Sequence, residues 1–240
     1  GTVWLLTEND GAIRVVTLPE KNYTTKPEIY STKSGLFPAD HFYQVYQDRA
    51  GNNWLLTDNG LGMIRPGEWQ PVNYFVETQG KQDGMNQAFY AVRECEDDIC
   101  FTSDRGRIWC YQKKSGEFRL HELPTKARIT SIHAVGNDNT VVTTDSDGFF
   151  LSNLKTNKHI HYSPVTCKEL SDQAILSAYV DRTSEVWFEQ EEPGVVVHFN
   201  PATGVVKREQ MRVEYSNADR SRPAFHIHED IHGHVWVHPY

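Results

Sequence analysis

The stretch "YQVYQDRAGNNWLLT", residues 43–57, sets the reading of the whole chain. It is an alternating strand, then Asp48, Gly51 and Trp54 in the spacing D-x-x-G-x-x-W. The C-terminal stretch "HIHEDIHGHVWVHPY", residues 226–240, repeats it with Asp230, Gly233 and Trp236. "YVDRTSEVW" repeats it again with Asp181 and Trp187, Ser184 standing where the others have Gly. The N-terminus enters the pattern part-way, at Gly1, Trp4, Thr7 and Gly11. Two degenerate copies put Ile99 and Val141 at the Trp position, followed by Thr102 and Gly106 and by Thr144 and Gly148. Positions 4, 54, 99, 141, 187 and 236 therefore recur at intervals of 50, 45, 42, 46 and 49 residues. A period in the forties built from short strands marks a β-propeller with one four-stranded antiparallel blade per unit.

The expected fold is all-β. About five repeat units are expected, forming an arc of a larger propeller or closing through the two terminal pieces as one blade: a partial blade at 1–34, blades at 41–78, 88–124, 128–165 and 174–212, and a partial blade at 224–240. Residues 88–124 show the plan, with strands "AFYAVREC", "DICFTS", "GRIWCYQ" and "GEFRLHEL". Each repeat residue has a physical task. Asp accepts hydrogen bonds from the turn backbone, Gly supplies positive φ, and Trp opens the second strand and packs between blades.

Composition narrows the function. Of 240 residues, 24 are Lys or Arg and 32 Asp or Glu, a net charge of −8. Nucleic-acid binding rests on clustered positive charge, so no nucleic-acid partner is expected. No apolar run approaches a membrane span. The chain opens on a strand-like "GTVWLLT", so any targeting segment is expected to lie outside it. Five of the eleven histidines, His226, His228, His232, His234 and His238, crowd the last repeat. Imidazoles at such spacing bind zinc or copper only where they converge. Here they occupy ordinary hairpin positions, Gln44 and Tyr46 standing in the matching copy where His226 and His228 stand. A histidine-rich surface hairpin is expected, with no metal and no cofactor.

These repeats resemble the periplasmic propeller repeats of bacterial hybrid two-component sensors, the regulators of carbohydrate utilisation common in gut Bacteroides. "SGLFPADHFYQVYQDRAGNNWLLTDNGLGMI", residues 34–64, follows their pattern almost throughout. "GTVWLLTENDGAI" follows its second half, and "NPATG" at 200–204 is similar to the turn between third and fourth strands. The resemblance implies a periplasmic input domain of an inner-membrane receptor, which binds a carbohydrate-derived signal and passes it to a kinase outside this chain. It implies as partners an oligosaccharide, a second propeller and β-sandwich domain of the same receptor, and a second copy in a homodimer. It implies no catalysis within this chain.

Two other classes compete. Propellers house glycoside hydrolases and lectins, but the carboxylates Asp40, Asp83 and Asp172 show no spacing that implies a hydrolytic pair. Propellers also serve as interaction scaffolds, but the G-H and W-D signatures of that class do not recur. Ligands are expected on the loops joining one blade to the next. Those loops carry Lys81, Asn86, Gln87, Arg128, Gln173, Arg220 and Arg222, with Lys33 and His41 beside them. Amide and guanidinium groups there suit hydroxyls, carboxylates and sulfates. Of the four cysteines, Cys95 and Cys100 are expected to face each other across a turn at Asp97-Asp98, within reach of a disulfide. Cys110 and Cys167 are expected to be free.

Overall fold

The computed structural model describes residues 2–7, 9–18, 23–24, 27–75, 87–95, 97–136, 138–192, 194–210 and 225–239. Among these there is no helix, and so none long and apolar enough to cross a membrane. The fold is an all-β propeller type of antiparallel four-stranded sheets. The strands divide between two compact units, Gly1–Glu94 and Cys95–Tyr240.

The first unit opens with β1 (Thr2–Leu6), β2 (Ala12–Leu18), β3 (Tyr23–Thr24) and β4 (Glu28–Tyr30). In this sheet β2 pairs with β1, β3 and β4. Next come β5 (Phe42–Gln47), β6 (Asn53–Thr57), β7 (Gly60–Ile64) and β8 (Val72–Tyr74), a meander in chain order. The unit ends with β9 (Phe89–Glu94). β5 is mostly half-buried or exposed, whereas the ten residues of β6 and β7 are all buried. Such runs suit strands covered on both faces. Tyr30, Phe37, Phe42, Leu55 and Ile64 form the core of this unit.

The second unit holds β10 (Asp98–Ser103), β11 (Arg107–Gln112) and β12 (Phe118–Glu122). Two complete meanders follow: β13 (Ile129–Val135), β14 (Asn139–Thr144), β15 (Phe149–Asn153) and β16 (Lys158–Tyr162), then β17 (Ile175–Val180), β18 (Val186–Gln190), β19 (Val195–Asn200) and β20 (Val205–Gln210). A hairpin of β21 (Phe225–Glu229) and β22 (Val235–Pro239) ends it. The sheets meet through aromatic side chains. The Phe149 ring lies 4.6 Å from Phe188 and 4.9 Å from Phe199 of the next sheet, and stacks at 4.7 Å on Tyr162 of its own. Ring contacts of this kind add to the area they bury.

The Asp and Trp of the repeat bond to each other directly. Trp54 Nε1–H donates to Asp48 Oδ2 at 2.9 Å, Trp187 to Asp181 at 2.8 Å, and Trp236 to Asp230 at 3.0 Å. The other carboxylate oxygen collects turn amides: Ala50 and Asn52 on Asp48, Thr183 and Glu185 on Asp181, His232 and His234 on Asp230. One side chain thus closes the turn and pins the first residue pair of the hairpin. Gly51 and Gly233 take φ of 85° and 89°, and Ser184 adopts the same left-handed region at 68°. Burial differs between copies. Trp54 is fully buried and Trp187 half-buried, while Trp236 is 53% exposed.

The cysteine pairing is corrected. Cys100 is bonded to Cys110, and Cys95 and Cys167 are free. The Cys95 N–H donates to the Asp98 carbonyl at 2.8 Å, so the turn lies one residue earlier than Asp97-Asp98. Cys95 is therefore paired two positions short of Cys100. Cys100 instead stands directly opposite Cys110 in the β10–β11 register. Opposed positions on neighbouring strands bring the Cβ atoms close enough for a bridge.

Candidate ligand-binding face

In three of the sheets, a turn glycine is tied to the residue just ahead of the next sheet. Gly11 N–H donates to Asp40 O at 2.9 Å, Gly60 to Gln87 O at 3.0 Å, and Gly106 to Ala127 O at 3.0 Å. These glycines have φ of 90°, 94° and 69°. A Cβ on Gly11 would stand 2.1 Å from Tyr30 O, and one on Gly106 2.9 Å from Leu123 O. Close backbone approach therefore dictates glycine there. Conserved geometry at this end leaves the loop side chains free to vary, which is where a propeller carries its specificity.

In the second unit these loops frame an open groove of about 550 Å³. Its wall is the turn carrying Arg105 and Arg107, the loop Leu123–Lys126, and Asp147 from the β14–β15 turn. Arg107 Nε lies 3.4 Å from Glu122. Arg105 and Lys126 are exposed and have no ion pair among the described residues. Arg105 sits at φ 59°, which aims it from a left-handed turn position. On the rim, Asp147 is 3.2 Å from His161, whose ring stacks on Phe150 at 4.3 Å. The groove thus offers two uncommitted cations beside one shared guanidinium, in a chain of net charge −8. Charge-assisted hydrogen bonds from such groups suit carboxylate or sulfate oxygens.

A second open groove, about 530 Å³, lies along the loop after β16, lined by Tyr162, Val165, Cys167, Lys168 and Glu169. Burial pushes the Cys167 thiol up, and the Glu169 carboxylate, 3.4 Å away, pushes it further.

The residues expected on this face fare differently. Arg128 is exposed and paired with Asp145 at 3.4 Å, its N–H also on that carboxylate. Gln173 is exposed and donates to Asp172 at 3.0 Å. Gln87 is buried, and its carbonyl holds Gly60. Lys33 is exposed, and His41 packs on Tyr43 at 4.6 Å. Lys81, Asn86, Arg220 and Arg222, with Asp83, lie outside the described residues. Asp40 is a loop staple that accepts Thr32 N–H at 2.9 Å. Among the described residues no group of three His, Cys, Asp or Glu converges as metal ligands would. Arg105, Arg107 and Lys126 were missed by sequence reading. Arg105 and Arg107 flank the glycine of a turn, and only the fold carries that turn to the inter-sheet loop.

No family model matches the chain, and no curated relative does. Solved structures do, at low identity. The extracellular domain of a putative hybrid two component system, BT4673, from B. thetaiotaomicron is similar over 99% of this chain and 37% of its own, with TM-score 0.62 and 16% identity. That of BT3049 from the same organism matches over 85% and 39%, with TM-score 0.51 and 15% identity. Virginiamycin B lyase from Staphylococcus aureus matches over 100% and 81%, with TM-score 0.69 and 14% identity. The chain spans 37% of the length of the BT4673 domain. At these identities the likeness defines the propeller fold.

Proposed function

We propose that this chain is a periplasmic ligand-sensing domain of a hybrid two-component receptor, and that its signal is an oligosaccharide. The observation that carries the reading is the likeness to two extracellular domains of such systems over nearly the whole chain, together with repeats that follow the sensor pattern. The groove beside Arg105 and Lys126 is the binding site within the second unit, and it favours saccharides bearing carboxylate or sulfate. Arg128 and Gln173 supply further polar contacts on neighbouring loops. The second propeller, the β-sandwich domain and a second receptor copy are the partners of this role. The kinase lies outside the chain, and the chain itself catalyses nothing.

Calorimetric titration with neutral, uronic-acid and sulfated oligosaccharides tests this. Binding of an acidic saccharide is expected, weakened about ten-fold or more by Arg105→Ala with Lys126→Ala, the loss of one or two charged hydrogen bonds. No response to any saccharide, with a clear response to another chemical class, overturns it. The lyase likeness supports a second reading, an enzyme acting on a streptogramin. Turnover of a streptogramin by the purified chain decides between the two.

A further inference from the structure

The first strand of three sheets carries a bulge at the same place. The cross-strand register shifts between Phe42 and Gln44 on β5, between Ile129 and Ser131 on β13, and between Ile175 and Ser177 on β17. The bulged residues are Tyr43, Thr130 and Leu176, and each follows a buried apolar residue. A bulge re-aims the side chain it carries. Thr130 shows the direction: its Oγ1 donates to the carbonyl of Ile175, at the start of the next sheet's first strand, at 2.6 Å. Tyr43 makes the matching contact in the first unit, its ring lying 4.8 Å from Tyr90 on β9. Tyr90 follows buried Phe89, just as Tyr43 follows buried Phe42.

The result is a row of rings, His41, Tyr43 and Tyr90, with successive centroids 4.6 and 4.8 Å apart and planes tilted by 56° and 58°. Tyr43 is 38% exposed, although β5 contacts strands of the sheets before and after it, β1 and β9. Backbone bonds hold the row in place. Gly11 N–H donates to the carbonyl of Asp40, next to His41, and Gly60 N–H to that of Gln87, two residues ahead of Phe89. Asp58 N–H donates to His41 O at 3.3 Å, which sets a carboxylate-bearing residue beside the row. Asp58 is exposed and has no ion pair among the described residues, whereas the Asp40 carboxylate is taken by Thr32. Aromatic side chains held rigidly beside one uncommitted polar group are the makings of a small-molecule site.

We propose that His41, Tyr43 and Tyr90 form a stacking site for a pyranose ring, a second saccharide subsite that lies in the first unit. This rests on the saccharide-sensing reading and deepens it: the groove beside Arg105 takes charge, and these rings take the face of the sugar. A pyranose has an apolar face of C–H bonds and an edge of hydroxyls. The electron-rich face of an aromatic ring attracts those weakly positive hydrogens. Asp58 and the tyrosine hydroxyls supply partners for the edge. The corresponding places in the second unit hold Thr130 and Leu176, which have no ring to stack. The subsite therefore takes uncharged pyranoses, and it favours sugars with equatorial hydroxyls, which leave the C–H face open.

Saturation-transfer NMR and calorimetry on the full chain test this with neutral gluco- and xylo-configured tetrasaccharides, and with tetramethylammonium as the probe for a cation in the same place. Saturation is expected at the ring C–H protons of a tetrasaccharide. Tyr43→Leu, which installs the residue that β17 carries at this position, is expected to fold and to weaken that ligand about ten-fold, the scale of a lost aromatic contact. Tyr43→Phe is expected to retain it, and Arg105→Ala with Lys126→Ala to leave it unchanged. Saccharide binding that Tyr43→Leu leaves unchanged overturns the subsite while the sensing reading stands. So does binding of acidic saccharides through Arg105 and Lys126 with no neutral sugar bound. Binding of no saccharide at all overturns both. Tetramethylammonium bound in place of the tetrasaccharides, and lost in Tyr43→Leu, makes this a cation site and overturns the pyranose assignment.

Discussion

Asp181 shows how much one carboxylate does in this fold. Burial raises its pKa, but hydrogen bonds from Trp187, Thr183 and Glu185 outweigh that and hold it below the usual 3.8. A depressed folded pKa contributes stability that is full above the unfolded value and fades as pH falls through the folded one. The urea midpoint should therefore be level from neutral pH down to about 4 and drop below it. Asp181→Asn should lower the midpoint at pH 7 and narrow its difference from the native chain below pH 4. A constant difference across that range would remove the ionised carboxylate from the argument. Its partner tryptophans make a second comparison. Trp54 is 0% exposed, so Trp54→Ala should cost about 3–5 kcal/mol. Trp236 is 53% exposed, and its truncation should cost under about 1 kcal/mol in the same melts.

Hairpins and turns carry the next predictions. Ser184 holds φ 68° where Gly51 and Gly233 hold 85° and 89°. Left-handed backbone strains a residue with a Cβ, so Ser184→Gly should stabilise by roughly 0.5–1 kcal/mol in denaturant melts. The opposite change at the other end of a sheet is damaging. A Cβ on Gly148 would stand 2.1 Å from Tyr162 O, at φ 66°. Gly148→Ala should destabilise by about 2–4 kcal/mol, the sum of left-handed strain and a backbone shift. In the β10–β11 hairpin the bond joins Cys100 to Cys110. Thiol titration of denatured, unreduced protein should find two thiols, and alkylation should map them to Cys95 and Cys167. Label on Cys100 or Cys110 would refute the pairing. The sequence expectation of a Cys95–Cys100 pair fails because Cys95 N–H bonds Asp98 O, one residue out of step with a turn centred on Asp97-Asp98. A slip of one residue in a turn changes every cross-strand partner.

Across the whole molecule, charge is opposed locally and globally. On the proposed reading, a net charge of −8 would repel an acidic saccharide, while Arg105 and Lys126 would draw it into one groove. Both cations are exposed, so the affinity proposed for this groove should fall as salt rises past about 0.1 M. The sequence by itself determined the all-β class, the period and the roles of Asp48, Gly51 and Trp54. Those are local: an alternating strand, a side chain that caps its own turn and a glycine at positive φ need only neighbours within a few residues. Even the meander follows, since short turns join adjacent antiparallel strands. Only the tertiary structure decided how far each copy is buried, as Trp54, fully buried, and Trp187, half-buried, show. Burial depends on what lies across the strand edge and above the sheet. The same holds for the groove: Arg105 and Lys126 are 21 residues apart in the chain, and they share it because a glycine N–H in one turn bonds the carbonyl ahead of the next sheet. No residue pattern announces such a meeting, because it is made by backbone bonds between segments whose side chains are unrelated.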